Sequence, residues 1–169
     1  MEKEKEVEYN NRKVFTLSIL IAALYAVITI IFGSISFSAI IQVRISDSLI
    51  PLSYNKKIGK AAIYGTTLGT IVSNVISVYG FYDIMLGALA NLFASYVAYL
   101  FSKHRSNLTK ILATVSSTIV VVFFIGIMLF HLVLQMPLVT SLIGVSIGSF
   151  ISIILIGTIL LFALEKIYR

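Results

Sequence analysis

The sequence predicts an all-α integral membrane protein, a bundle of six transmembrane helices with both termini in the cytoplasm. Three observations carry that expectation. Of the 169 residues, 59% are hydrophobic and only 12% are charged, at a mean hydropathy of +1.02; a soluble domain of this size cannot hide that much apolar surface. The apolar residues fall into runs of about 20, the length at which a helix crosses a bilayer. The basic residues collect in the short gaps between runs, as they do in cytoplasmic loops. By length the chain is one domain, with a short cytoplasmic tail over residues 1–13 and a membrane domain over residues 14–169.

The tail alternates Glu and Lys. A secretory signal starts basic and has a shorter apolar core, so the run behind this tail reads as an uncleaved first span, residues 14–33. Ser18, Ala22 and Ala26 recur there every four residues, a small-xxx-small row that lets another helix approach closely. On spacing alone that row packs within the protein. Gly33-Ser34-Ile35-Ser36 then breaks the run as a loop.

Residues 37–54 are the difficult segment, because they contain Gln42, Arg44, Asp47 and Pro51. Charge distribution decides the matter. If the segment crosses, every Lys and Arg except Arg44 lies in the cytoplasm. If it does not, only Lys3, Lys5, Arg12 and Lys13 remain inside, against the positive-inside rule. A span this short and polar needs shielding by its neighbours, so a second helix is expected at the centre of the bundle. Arg44 and Asp47, three residues apart, share a face if helical. Charges at membrane depth pair, face a protein interior or touch a ligand. A structural ion pair and a ligand site near the outer face both remain open.

The third span, residues 58–79, carries Ala61, Gly65, Gly69 and Ser73 as a continuous small stripe, with Asn74 beside it. Tyr79 to Asp83 form an outer turn with aromatic residues at headgroup depth. Asp83 suits either a helix cap or a ligand contact. The fourth span, residues 82–101, repeats the spacing in Gly87, Asn91 and Ser95; Asn91 is expected to bond a neighbouring helix. Lys103, His104, Arg105 and Lys110 mark the next inner loop. The fifth span covers residues 108–134, with His131 and Gln135 near its outer end and His131 a minor site candidate. The sixth, residues 138–164, carries Gly144, Gly148 and Ser152. The polar residues at membrane depth therefore gather toward the outer half.

The missing chemistry narrows the function. There is no cysteine, which excludes disulfides, thiolate metal sites and thiol nucleophiles. No G-x-x-x-x-G-K-[ST], H-E-x-x-H or G-x-S-x-G motif occurs, so no P-loop ATPase, zinc hydrolase or serine hydrolase is expected. Neither a metal nor a cofactor is expected, and the net charge of +6 reads as topology rather than nucleic-acid binding. A bundle with glycine stripes and an outer polar group of residues reads as a binder or carrier. It has no engine of its own and needs partners. A structural membrane protein whose charges merely pair is the alternative, and an intramembrane enzyme is disfavoured.

Ala22-Ala23-Leu24-Tyr25-Ala26 followed by Gln42-Val43-Arg44-Ile45-Ser46-Asp47 resembles the substrate-binding (S) components of energy-coupling factor transporters, and among them the QueT family, associated with uptake of queuosine precursors. Gly69 to Asn74 and Asp83 to Ala90 are similar to that family too. The likeness covers roughly residues 17–100, and the last two helices match in hydropathy and length. It implies a six-helix S component in the plasma membrane that takes substrate from outside, coupled to a transmembrane coupling protein and two cytoplasmic ATPase subunits. Ala22 and Ala26 would then form the docking face for the coupling protein. The family places Glu after Arg-Ile-Ser where this chain has Asp47, one methylene shorter, so another vitamin-like cargo stays open beside a deazaguanine. The resemblance implies that Asp47 or Asp83 accepts the paired N–H donors of the cargo. Asn74 and Gln42 would bond its carbonyl side, Arg44 would orient a carboxylate, and Tyr79 or Tyr82 would stack on the ring.

Overall fold

A computed structural model describes residues 2–38, 41–104 and 106–167, and every regular element among them is helical. Helix α1 (Glu2–Ile31) ends in a short turn of helix, α2 (Gly33–Ser36). Helices α3 (Gly59–Asn74) and α4 (Gly80–Phe101) follow a central connection. Helix α5 (Asn107–Val121) runs on into a wider stretch, Val122–Val133, and α6 (Leu138–Ser149) runs through a second wide stretch, Phe150–Gly157, into α7 (Thr158–Ile167). In these stretches the backbone bonds shift to i→i+5, as in Leu134 N–H to the Leu129 carbonyl at 2.9 Å; such π-turns often accompany functional sites.

The described part of residues 37–54 does not form the second α-helix that the sequence predicts. The backbone is extended at Arg44, and Ile45–Tyr54 is a 3-10 helix of 10 residues, about 20 Å long at this pitch. Pro51 supplies the reason: it donates no N–H, and its ring collides with the carbonyl four residues back in an α-helix. Serines compete as well, since Ser53 Oγ donates to the Ile50 carbonyl at 2.7 Å. The segment is nevertheless central, touching α1, α3, α4, α5 and α7 and the wide stretch 150–157. The chain closes tightly round it. A Cβ on Gly157 would lie 2.9 Å from Pro51 Cγ and 3.1 Å from the Ser48 carbonyl.

Among the described residues, four helices are long and apolar enough to cross a membrane: Glu8–Ile31, Gly80–Phe101, Asn107–Val133 and Leu138–Ile167. Helix α3, at 16 residues, measures about 24 Å and falls short of an apolar core about 30 Å thick. Large apolar side chains such as Phe15, Leu20, Ile119 and Ile159 point outward, which suits a lipid surrounding.

The small stripes set the packing. A Cβ on Gly65 would fall 2.6 Å from Ile21 Cβ, and one on Gly69 would fall 2.6 Å from Tyr25 Cβ, so α1 and α3 lie backbone to backbone and parallel. Helix α4 runs antiparallel to α3. Thr66 meets Ser95 at 2.9 Å, Asn91 donates to Thr70 Oγ1, and Gly87 lies against Asn74. Ile50, Ala90, Ala94, Val121, Ile125, Leu129, Phe130, Val145 and Ile153 form the main apolar core. It lies directly beside this polar seam.

Candidate substrate site

The charges that the sequence singles out come together. Arg44 Nη2 lies 3.6 Å from Asp83 Oδ2, with side chains 5% and 0% exposed, and the guanidinium sits over the Phe37 ring at 5.6 Å. Asp83 does not cap α4. It lies inside the first turn, accepts from the Ser77 hydroxyl and faces the arginine. Asn74 Nδ2 donates to the Asp83 backbone carbonyl at 2.9 Å, so α3 fixes the start of α4. Asp47 turns toward α1, where the buried Tyr25 hydroxyl donates to its Oδ1 at 2.5 Å. One turn further, Thr29 and Ser46 share a hydrogen bond of 2.6 Å.

Not every candidate joins this cluster directly. The Tyr79 hydroxyl donates to the Phe37 carbonyl at 2.9 Å, and its ring meets Phe130 edge-on at 5.3 Å. It ties the outer turn to the segment that carries Arg44. Tyr82 is exposed beside Phe81. His131 Nδ1 bonds the Met136 carbonyl at 2.8 Å, and Gln135 Nε2 donates to the Leu132 carbonyl at 2.6 Å, so both stabilise the turn after the wide stretch Val122–Val133. Ala26 is buried and Ala22 half-buried along the seam with α3. Tyr25, Thr70 and Asn91 are parts of the site that the sequence reading did not single out as site residues.

A polar census sets this region apart. Gln42 Nε2, Arg44 Nε and Nη2, Asn74 Oδ1 and Asp83 Oδ1 are all buried without a hydrogen-bond partner among the described residues. Buried polar groups are nearly always paired, and an orphan costs about 1–3 kcal/mol. Donors and acceptors are orphaned together here, on three separate elements. A cavity opens beside them, lined by the polar Gln42, Arg44, Asp47 and Asn91 and by the apolar Val121, Ile125 and Val145. It has room for about one water molecule. Gly87 lines it because a Cβ there would lie 2.7 Å from Asn74 Nδ2 and 3.7 Å from Arg44 Nη1. A roomier groove between α1 and α3, lined by Phe15, Tyr64 and Leu68, is almost wholly apolar and lies apart from these charges.

No group of His, Cys, Asp or Glu among the described residues has the arrangement of a metal site. The arrangement suits recognition of a small polar ligand by paired donors and acceptors, with apolar contact from the rest of the lining. Comparison with curated proteins and with solved structures returns no match. The family model described as QueT transporter matches residues 15–166. That match runs through every element of the cluster, from Tyr25 on α1 to Val145 on α6, and the chain is a member of the QueT transporter family.

Proposed function

We propose that this membrane transport protein is the S component of an energy-coupling factor importer, capturing a deazaguanine-like queuosine precursor at the outer face of the plasma membrane. The observation that supports this reading is the set of orphaned groups on Gln42, Arg44, Asn74 and Asp83. A deazaguanine presents adjacent N–H donors and a ring carbonyl on one edge. Asp83 Oδ1 and Asp47 accept the donors, while Gln42 Nε2 and Arg44 Nε face the carbonyl. Asn74 Oδ1 completes the acceptor side. In this arrangement Arg44 holds Asp83 in place instead of orienting a carboxylate on the cargo. A bicyclic ring exceeds a cavity of about one water, so the connection carrying Gln42 and Arg44 moves aside on entry. Tyr79, through its bond to the Phe37 carbonyl, restrains that movement.

The 3-10 segment and α3 complete six passes in this reading, with both termini in the cytoplasm. The Lys56, Lys57, Lys60 and Lys103 end then lies inside, and the turn at Tyr79 and Gly80 lies outside. A transmembrane coupling protein and two cytoplasmic ATPase subunits supply the energy. Of the two alanines the resemblance assigns to docking, Ala22 keeps some exposure and Ala26 does not. The test is the thermal midpoint of the purified protein in detergent against deazaguanines, guanine and common vitamins. A ligand bound by the folded state raises the midpoint as its concentration passes its Kd. A deazaguanine shift that vanishes in Asp83→Asn supports cargo and site together. A shift with a vitamin alone moves the cargo, and no shift across the panel favours a structural role.

A further inference from the structure

We infer that the groove between α1 and α3 binds an anionic phospholipid, with one acyl chain lying along the groove and the phosphate at its lysine end. The inference stands apart from the cargo reading and holds whichever side of the membrane that end faces. The groove has a volume of about 340 Å³, roughly ten times the share of one water in the liquid. Phe15 from α1, Tyr64 and Leu68 from α3 and Leu92 from α4 line it. Phe15, Tyr64 and Leu68 are 68%, 55% and 47% exposed, so the groove opens sideways toward the bilayer. Its lining offers nothing to a polar ligand. The two hydroxyls in it bond within their own helices, Ser18 Oγ to the Val14 carbonyl and Thr67 Oγ1 to the Ile63 carbonyl, both at 2.8 Å. None of the orphaned polar atoms among the described residues lies there.

One end is different. Helices α1 and α3 run parallel, with Gly65 against Ser18 and Ile21. Asn11 lies two turns before Ser18 and also lines the groove. Lys60 lies one turn before Tyr64 on the same face of α3. It is exposed and makes no ion pair among the described residues. Lys56 and Lys57 precede it in the chain. Glu8 and Arg12, on α1 beside Asn11, hold each other at 2.6 Å. That pair adds no net charge, so the lysines leave this mouth positive. The groove is therefore apolar for about 10 Å, from Ser18 to Asn11, and basic beyond. An anionic phospholipid carries the complementary order. Its acyl chain fills the apolar stretch, and its phosphate meets Lys60, whose long stem crosses apolar surface to bring the ammonium to the interface. A neutral lipid fills the first stretch and leaves the second without a counter-charge.

The chain has no tryptophan, so a single one reports on its own surroundings. Phe15→Trp places it in the groove; Ile159→Trp places it on an exposed position of α7, where the nearby Lys110 is already paired with Glu165 at 2.5 Å. The intact protein is reconstituted in bilayers, and fluorescence quenching is titrated with phosphatidylglycerol or phosphatidylcholine carrying the same brominated chains. At Phe15→Trp the anionic lipid is expected to bind about fivefold or more tighter, the effect of one lysine at a charged surface. Near-equal binding is expected at Ile159→Trp. Adding Lys60→Gln is expected to remove most of the preference at the groove. Equal quenching by both lipids at both positions would mean ordinary surrounding lipid and overturns the proposal. Quenching at Ile159→Trp alone would mean that a protein surface covers the groove, and overturns it too. A preference that survives Lys60→Gln overturns the role given to that lysine. Should the groove variant not fold, native mass spectrometry of the wild type from the mixed lipids decides: retention of both lipids in proportion to their supply overturns the proposal.

Discussion

Replacing Tyr25 by Phe removes one oxygen and leaves the packing of the ring in place. The ring stays seated where Gly69 has no side chain, since a Cβ there would lie 2.6 Å from Tyr25 Cβ and 3.0 Å from its Cγ. What is lost is the 2.5 Å donation to Asp47, between side chains that are both buried. A hydrogen bond to a charged group contributes about 1.5–3 kcal/mol, and a neutral one about 0.5–1.5. For a chain of this length each kcal/mol moves the thermal midpoint by about 2–4 °C. Tyr25→Phe is therefore expected to lower the midpoint in detergent by about 3–12 °C. Asp47→Asn keeps the shape and weakens the same bond, so the two substitutions are not additive. The double variant should be more stable than the sum of the single effects implies, by about 1–2 kcal/mol. Coupling below about 0.5 kcal/mol, the scatter of independent sites, would refute the claim that this bond fixes Asp47.

Three further outcomes follow from the same geometry. Gly65→Ala is expected to lower stability by about 1–2 kcal/mol in denaturant titration. Its Cβ would lie 2.6 Å from Ile21 Cβ and 2.9 Å from the Ser18 carbonyl, an overpacking that outweighs the gain in helix propensity; a more stable variant would contradict the close α1–α3 seam. Gly87→Ala crowds Asn74 Nδ2 at 2.7 Å and disturbs its bond to the Asp83 carbonyl, so cargo affinity should fall tenfold or more, about 1.4 kcal/mol, and unchanged affinity would separate Asn74 from the site. The cysteine-free chain also suits single-cysteine labelling. Val78→Cys is expected to react with an impermeant reagent from outside intact cells and Lys56→Cys only after permeabilisation, and the reverse pattern would invert the proposed topology.

The stretch from Gln42 to Asp47 was legible as the organising centre because charges stand out in an apolar chain, and burying them has few physical solutions. The α3 and α4 stripes were legible for the same kind of reason, since four-residue spacing of small residues permits little besides close helix packing. The conformation of residues 45–54 was not. Charge topology asks only that the segment cross, and either an α-helix or a 3-10 helix satisfies it; Pro51 and the serines at 46, 48 and 53 bear on that choice. The wide turns at 122–133 and 150–157 have no local signature, because their i→i+5 bonds arise where the helix fits its neighbours. Tyr25 escaped for another reason. In a run of apolar residues a tyrosine reads as packing or as an interfacial anchor, and its partner Asp47 is 22 residues away.

That separation has a mechanical consequence. The shorter carboxylate is held by α1 rather than by its own segment, with Thr29 and Ser46 making a second tie one turn along. Any ligand that draws Asp47 toward itself therefore loads a hydrogen bond to the helix on which Ala22 keeps its exposure. If the cluster is the cargo site proposed above, occupancy and the position of α1 are expected to be linked through the Tyr25–Asp47 bond. A substitution there is thus expected to disturb cargo binding and the response of α1 together, where Asn74→Ala disturbs binding alone. Cargo-dependent labelling of a single cysteine at exposed Ala23, lost in Tyr25→Phe and kept in Asn74→Ala at saturating cargo, is the result that this linkage requires.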